Sequence, residues 1–122
     1  MPDARLVLGA RGEQAALDLY LRRGFTLVAR NWRCSLGEID LVVRGRDVTV
    51  FCEVKTRRGS RHGGGFEAVD ARKRRKLRAL AEVFVLTHAT GHAAVRFDVA
   101  SVAIGAGGRP GAIQVELFED AF

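Results

Sequence analysis

The sequence predicts one α/β domain, with elements in the order αβββαββ, and three observations carry that prediction. Two stretches place apolar residues at three- and four-residue spacing, as amphipathic helices do. Five others are short, alternating and rich in β-branched residues, as strands are. The second helical stretch falls between the third and fourth strands, so a three-strand meander crosses through a helix into a central mixed sheet flanked by helices. With 122 residues, 48% hydrophobic and 28% charged, the chain is long enough for one core and too short for two, so residues 1–122 form a single domain.

The first helix is expected over residues 5–23: Ala16, Leu17, Tyr20 and Leu21 make its apolar stripe and Gly24 stops it. Glu13 lies three and four residues before Ala16 and Leu17, on that stripe, where an acid needs a partner. It is either a site carboxylate facing the sheet or a first-turn acid favoured by the helix dipole or a capping interaction. Residues 25–34 read as the first strand, with blurred alternation. Its Arg30-Asn31-Trp32-Arg33 run offers cations and a stacking surface to nucleic acid, although Trp32 reads more readily as a core or rim aromatic.

The next two strands are residues 38–44 and 48–55, a hairpin broken at Gly45-Arg46-Asp47. Alternation sets Ile39, Leu41 and Val43 on one face, and Glu38, Asp40, Val42 and Arg44 on the other. Thr49, Phe51, Glu53 and Lys55 share a face of the partner strand. A loop of two residues (Gly45-Arg46) or four brings Asp40 opposite Phe51 and Glu38 opposite Glu53. Asp40 and Glu53 then become diagonal neighbours about 7–8 Å apart between backbones. A three-residue loop breaks this parity.

Residues 56–66 form a glycine-rich basic loop able to close on a phosphodiester with Arg57, Arg58 and Arg61. Gly63-Gly64-Gly65 has no phosphate-loop spacing, and His62 reads as a solvated loop residue. The second helix is expected over residues 67–87, with Val69, Leu77, Leu80, Ala81 and Phe84 buried and Arg72, Arg74, Arg75, Lys76 and Arg78 on much of the rest. Lys73 is in line with the buried stripe, as a phosphate or site contact or as a snorkelling edge lysine. His88 and His92 match a zinc pair only superficially and read as exposed turn residues. The last strands are residues 94–104 and 112–118, with Asp98 read as structural and arginine-paired, and a catalytic role as the lesser alternative.

The net charge of +6 and pI near 10.3 favour polyanionic partners. Residues 44–78 hold twelve of the twenty Lys and Arg residues but four of the fourteen acids, a basic concentration beside the hairpin. The longest apolar runs are too short for a membrane span and the N-terminal stretch lacks a secretory apolar region, so the expected location is cytoplasmic. Cys34 and Cys52, each within a predicted strand, read as reduced thiols.

Carboxylates crowded on a strand face repel one another, and a hard divalent cation with oxygen ligands removes that penalty. Such a cation polarises a phosphoryl oxygen and lowers the pKa of a bound water, with Lys55 placed to orient that water or offset developing charge. The plainer alternative is a solvated strand face whose acids are offset by Lys55 and Arg44.

Asp40, twelve intervening residues and Glu53-Val54-Lys55 resemble the PD-(D/E)xK motif of restriction-endonuclease-like nucleases. Together with Gly9-x-x-Gly12-Glu13, Arg30-Asn31-Trp32-Arg33, Gly37-Glu38-Ile39-Asp40, Phe51-x-Glu53-Val54-Lys55-x-Arg57 and Arg96-Phe97-Asp98-Val99, the chain resembles the YraN-like family of small bacterial proteins over nearly its whole length. The resemblance implies a restriction-endonuclease-like fold, and the archaeal Holliday-junction resolvases are its functional analogy.

The function so implied is a Mg²⁺- or Mn²⁺-dependent endonuclease acting on DNA, branched or structured. Asp40, Glu53, Lys55 and Glu13 would be catalytic, and Asp40, Glu53, the Val54 carbonyl and Glu38 would be metal ligands. Arg57, Arg58, Arg61, Arg72, Lys73, Arg75 and Lys76 would hold nucleic acid, DNA in preference to RNA. A second reading is a non-catalytic nucleic-acid-binding protein of the same fold in DNA repair or RNA handling. A third is an interaction module that homodimerises through a sheet edge.

Overall fold

The computed structural model describes residues 3–59, 69–88 and 93–122. Helix α1 (Ala4–Arg22) is followed by strands β1 (Thr26–Cys34), β2 (Gly37–Gly45) and β3 (Val48–Arg58), helix α2 (Ala71–Thr87), and strands β4 (Ala94–Ile104) and β5 (Ile113–Phe118). The strands form one sheet in the order β1-β2-β3-β4-β5, antiparallel except for the β3–β4 pair. The parallel pair follows from the helical crossover, since strands joined through α2 run the same way. This mixed sheet with two helices is consistent with the restriction-endonuclease-like fold. No described helix is long and apolar enough to cross a membrane.

Each helix covers its own part of the core. Ala16, Leu17 and Tyr20 of α1 pack on Leu41, Val43, Val50, Cys52, Ala100, Val102 and Ile104. Leu77, Leu80, Ala81 and Phe84 of α2 pack on Ile39, Val42, Phe51 and Val99. Each large apolar side chain so buried contributes about 1.5–3 kcal/mol, and the two-sided burial explains why β2 and β3 are apolar on both faces. Val69 joins the α2 cluster but lies ahead of the helix, which starts at Ala71 with Asp70 as its cap. Asp3 caps α1, accepting from the Arg5 N–H at 2.8 Å.

The hairpin differs from expectation by two residues. The loop is Arg46-Asp47, because Gly45 still pairs with Val48, and Val42 rather than Asp40 lies opposite Phe51. Two local causes are visible. A Cβ on Gly45 would lie 2.5 Å from the Phe25 ring, which fixes this glycine within the strand. Asp47 takes the left-handed conformation, φ 58°, that aspartate tolerates in a tight turn. A two-residue shift keeps parity, and the last ladder pair, Leu41–Cys52, leaves Asp40 and Glu53 as the next residues on the two strands instead of diagonal neighbours within the ladder.

Strict alternation fails at one place. Ile39 and Leu41 should share a face, yet Ile39 packs with α2 and Leu41 with α1. Between them stands Asp40, facing Asn31 of β1, whose φ is 51°. The β1–β2 pairing also slips between Leu27 and Ala29. Together the bulge and the left-handed Asn31 account for the blurred pattern of the first strand.

Candidate metal and nucleic-acid site

The β2–β3 backbone ladder ends at the Leu41–Cys52 pair. Just beyond it the Val54 N–H donates to Asp40 Oδ2 at 2.8 Å, so a side-chain carboxylate takes the peptide donor next to Glu53. This brings together the two acids on which the motif depends. Burial, first, and the charge of Glu53, second, push the Asp40 carboxyl from its ordinary 3.8 up to about 7; Glu13 and Glu38 add to this and the Val54 N–H works against it.

Glu53 is buried, 6% exposed, and its Oε1 lies 3.5 Å from Lys55 Nζ and 3.5 Å from Lys73 Nζ. Strand alternation supplies Lys55, two residues along on the same face. Lys73 is supplied by the helix cap, since the Asp70 carboxylate accepts the Lys73 N–H at 2.9 Å and fixes the first turn of α2 beside β3. Lys73, ambiguous in the sequence, therefore reaches Glu53.

Glu13 lies in the middle of α1, which sets aside the first-turn alternative, and it faces the sheet. Arg30 holds it there: Arg30 Nε is 3.7 Å from Glu13, while its other nitrogens donate to Gln14 Oε1 at 2.7 Å and the Ala10 carbonyl at 3.0 Å. The cation of Arg30 is thus occupied inside the fold. Helix and sheet meet closely here because residue 12 is glycine; a Cβ on Gly12 would lie 1.8 Å from Thr56 Oγ1. Glu38 pairs with Arg33 at 3.5 Å. Glu13, Glu38 and Asp40 all line a cleft of about 450 Å³ between α1 and the β1–β2 strands.

The donor set suits a hard divalent cation in kind, since Asp40, Glu53 and the Val54 carbonyl offer oxygen alone. It suits one in charge as well, because a cation would offset the burial and, second to it, the Glu53 charge that raise Asp40. Among the described residues no three His, Cys, Asp or Glu side chains converge tightly enough to enclose an ion, so solvent or substrate oxygens would complete the shell.

Of the basic residues, Arg57 and Arg58 end β3, with Arg58 exposed, and Arg72, Arg75 and Lys76 are exposed on α2. Arg61, His62 and His92 lie outside the described residues. The first turn of α2 is basic and contains no acid, which is the unfavourable polarity for a helix N-terminus. His88 departs from expectation: it is half-buried, its ring stacked 3.9 Å from that of Phe84, because it caps α2 against the core. Trp32 is a rim aromatic, edge-on to Phe84. Cys34 and Cys52 are both free thiols.

The model of the uncharacterised protein family UPF0102 matches residues 12–102. The chain belongs to the UPF0102 family. A UPF0102 protein of Clavibacter michiganensis is 47% identical over 103 residues, covering 84% of this chain and 87% of its own. One from Rhodococcus jostii is 43% identical over 117 residues, covering 96% and 97%. This UPF0102 chain therefore shares both its length and its fold-bearing region with these relatives.

Proposed function

We propose that this UPF0102 protein is a divalent-metal-dependent endonuclease acting on DNA. The observation that carries the reading is the meeting of Asp40 and Glu53 where the β2–β3 ladder opens, with Lys55 3.5 Å from Glu53. A divalent cation held by Asp40, Glu53 and the Val54 carbonyl supplies Lewis-acid polarisation of a phosphoryl oxygen when bound. Lys55 orients the attacking water and offsets charge that develops on the phosphate. Lys73 brings a second positive charge to the same carboxylate, and Glu13 adds negative charge on the α1 side. Arg57, Arg58, Arg72, Arg75 and Lys76 neutralise flanking phosphates. The basic first turn of α2, held against the helix dipole, supports a polyanion as its partner.

Purified protein should cleave DNA with Mg²⁺ or Mn²⁺, and Asp40→Asn and Lys55→Ala should each abolish cleavage. Calorimetry should show Mn²⁺ binding to wild type and none to Asp40→Asn. Intact duplex, single-stranded and branched DNA after incubation with either metal would reject the reading.

One observation favours a non-catalytic nucleic-acid-binding protein instead: Lys55 and Lys73 both turn onto Glu53, compensating it without an ion. That reading predicts salt-steep DNA affinity that Asp40→Asn leaves unchanged and that charge removal at Arg72, Arg75 and Lys76 weakens.

A further inference from the structure

We propose that the cleft between the first half of α1 and the β1–β2 strands receives one unpaired nucleotide beside Asp40, so that DNA with a single-stranded end or flap is preferred over continuous duplex. This rests on the nuclease reading above and specifies its substrate. The cleft measures about 450 Å³, within the roughly 300–1,000 Å³ of clefts that hold small organic ligands. That space suits a single nucleotide rather than a base-paired step. Leu6, Gly9 and Ala10 line it from the helix, and Asn31, Arg33 and Asp40 from the strands.

Gly9 supplies the first reason. Glycine inside a helix is destabilising relative to alanine and is ordinarily explained by a close neighbour. Gly12 has such a neighbour in Thr56, but among the described residues a Cβ on Gly9 would meet nothing within 4 Å. Packing among the described residues therefore gives no reason for Gly9, whereas a ligand lying against the helix backbone does. Leu6, one turn earlier, is 73% exposed and extends the same wall with apolar surface for the face of a base.

Charge supplies the second reason. The Arg5 and Arg33 side chains at this cleft are 91% and 75% exposed, in loose pairs of 3.4 Å with Asp3 and 3.5 Å with Glu38. Such pairs exchange readily for phosphate oxygens on either side of a lodged nucleotide. The exposed Asn31 amide carries both donors and an acceptor, the complement of a base edge. Asp40 and Glu13 belong to this cleft and to the catalytic centre alike, so a nucleotide seated here sets its neighbouring phosphate beside Asp40.

The test is fluorescence anisotropy in Ca²⁺ with a labelled blunt duplex and with the same duplex carrying a single-stranded overhang. Wild type should bind the overhang form about tenfold more tightly, the equivalent of one well-seated group. Gly9→Leu, whose Cβ meets none of the described residues, should remove that preference, leave blunt-duplex affinity unchanged and not lower the melting temperature. Gly9→Ala, the smaller change, should fold as well as wild type and reduce the preference in part. Equal binding of both forms by wild type, or a preference that survives both substitutions, overturns the nucleotide cleft and leaves the nuclease reading standing. Wild type that binds neither form overturns both.

Discussion

Asp98 and Asp40 are aspartates on neighbouring parts of one sheet, and the protein treats them in opposite ways. Asp98 is fully buried and fully engaged: it accepts from the Tyr20 hydroxyl at 2.6 Å, from Arg96 at 2.9 and 3.0 Å, and from the Asp120 N–H at 3.0 Å. Asp40 takes one peptide N–H and otherwise faces the carboxylates of Glu53, Glu13 and Glu38. A buried charge with every lone pair answered ties elements together, here α1, β4 and the C-terminal segment. A carboxylate left among like charges costs stability and gains only if something positive arrives. The comparison separates an acid whose bonds are all answered from one left among like charges.

The largest effect expected from breaking it is at the satisfied acid. Asp98→Ala leaves Arg96 and the Tyr20 hydroxyl without their partner and should cost about 3–5 kcal/mol in urea unfolding. Asp40→Asn should have the opposite sign at neutral pH. The folded protein holds the Asp40 proton to about pH 7, whereas its ordinary value is 3.8. Between these values the folded state binds more protons than the unfolded chain, so wild-type stability falls as pH rises, by up to about 1.4 kcal/mol per pH unit from this group. Asp40→Asn should flatten that slope, and Mn²⁺ at pH 8 should raise the melting temperature of wild type but not of the variant. Tyr20→Phe, which removes one of the bonds to Asp98, should cost about 1–2 kcal/mol. Lys73→Ala, losing one of the two cations on Glu53, should change stability by under about 1 kcal/mol, yet slow cleavage measurably and less than Lys55→Ala does. Equal losses of stability at Asp98 and Asp40 would erase the distinction.

The same contrast shows how much of the molecule could be read in advance. Periodicity located every element within a few residues, because amphipathic spacing is written into the chain wherever a face is buried. Alternation alone puts Asp40, Glu53 and Lys55 on one face, and a two-residue error in the loop keeps that parity because the period of a strand is two, but the break at Asp40 sets it in the cleft beside α1 while Glu53 meets Lys73 of α2. Alternation pairs Ile39 with Leu41, yet Ile39 packs with α2, because alternation presumes a regular backbone and the pattern breaks at Asp40. The sequence reads His88 as an exposed turn residue because nothing local announces a ring stacking on Phe84 of its own helix end. The Tyr20–Asp98 bond joins residues 78 apart, a separation that no window of sequence samples.

The chain by itself determined the order of elements, the two helical stripes and the placing of Glu53 and Lys55 side by side on one strand, since these are properties of neighbours along the backbone. Tertiary structure alone decided that β2 and β3 part beyond Leu41, that the cap at Asp70 swings Lys73 onto Glu53, and that Glu13 and Asp40 share a cleft. Those outcomes depend on how a helix and a sheet close-pack across long loops, where a single contact such as Gly12 on Thr56 fixes distances that no spacing rule contains.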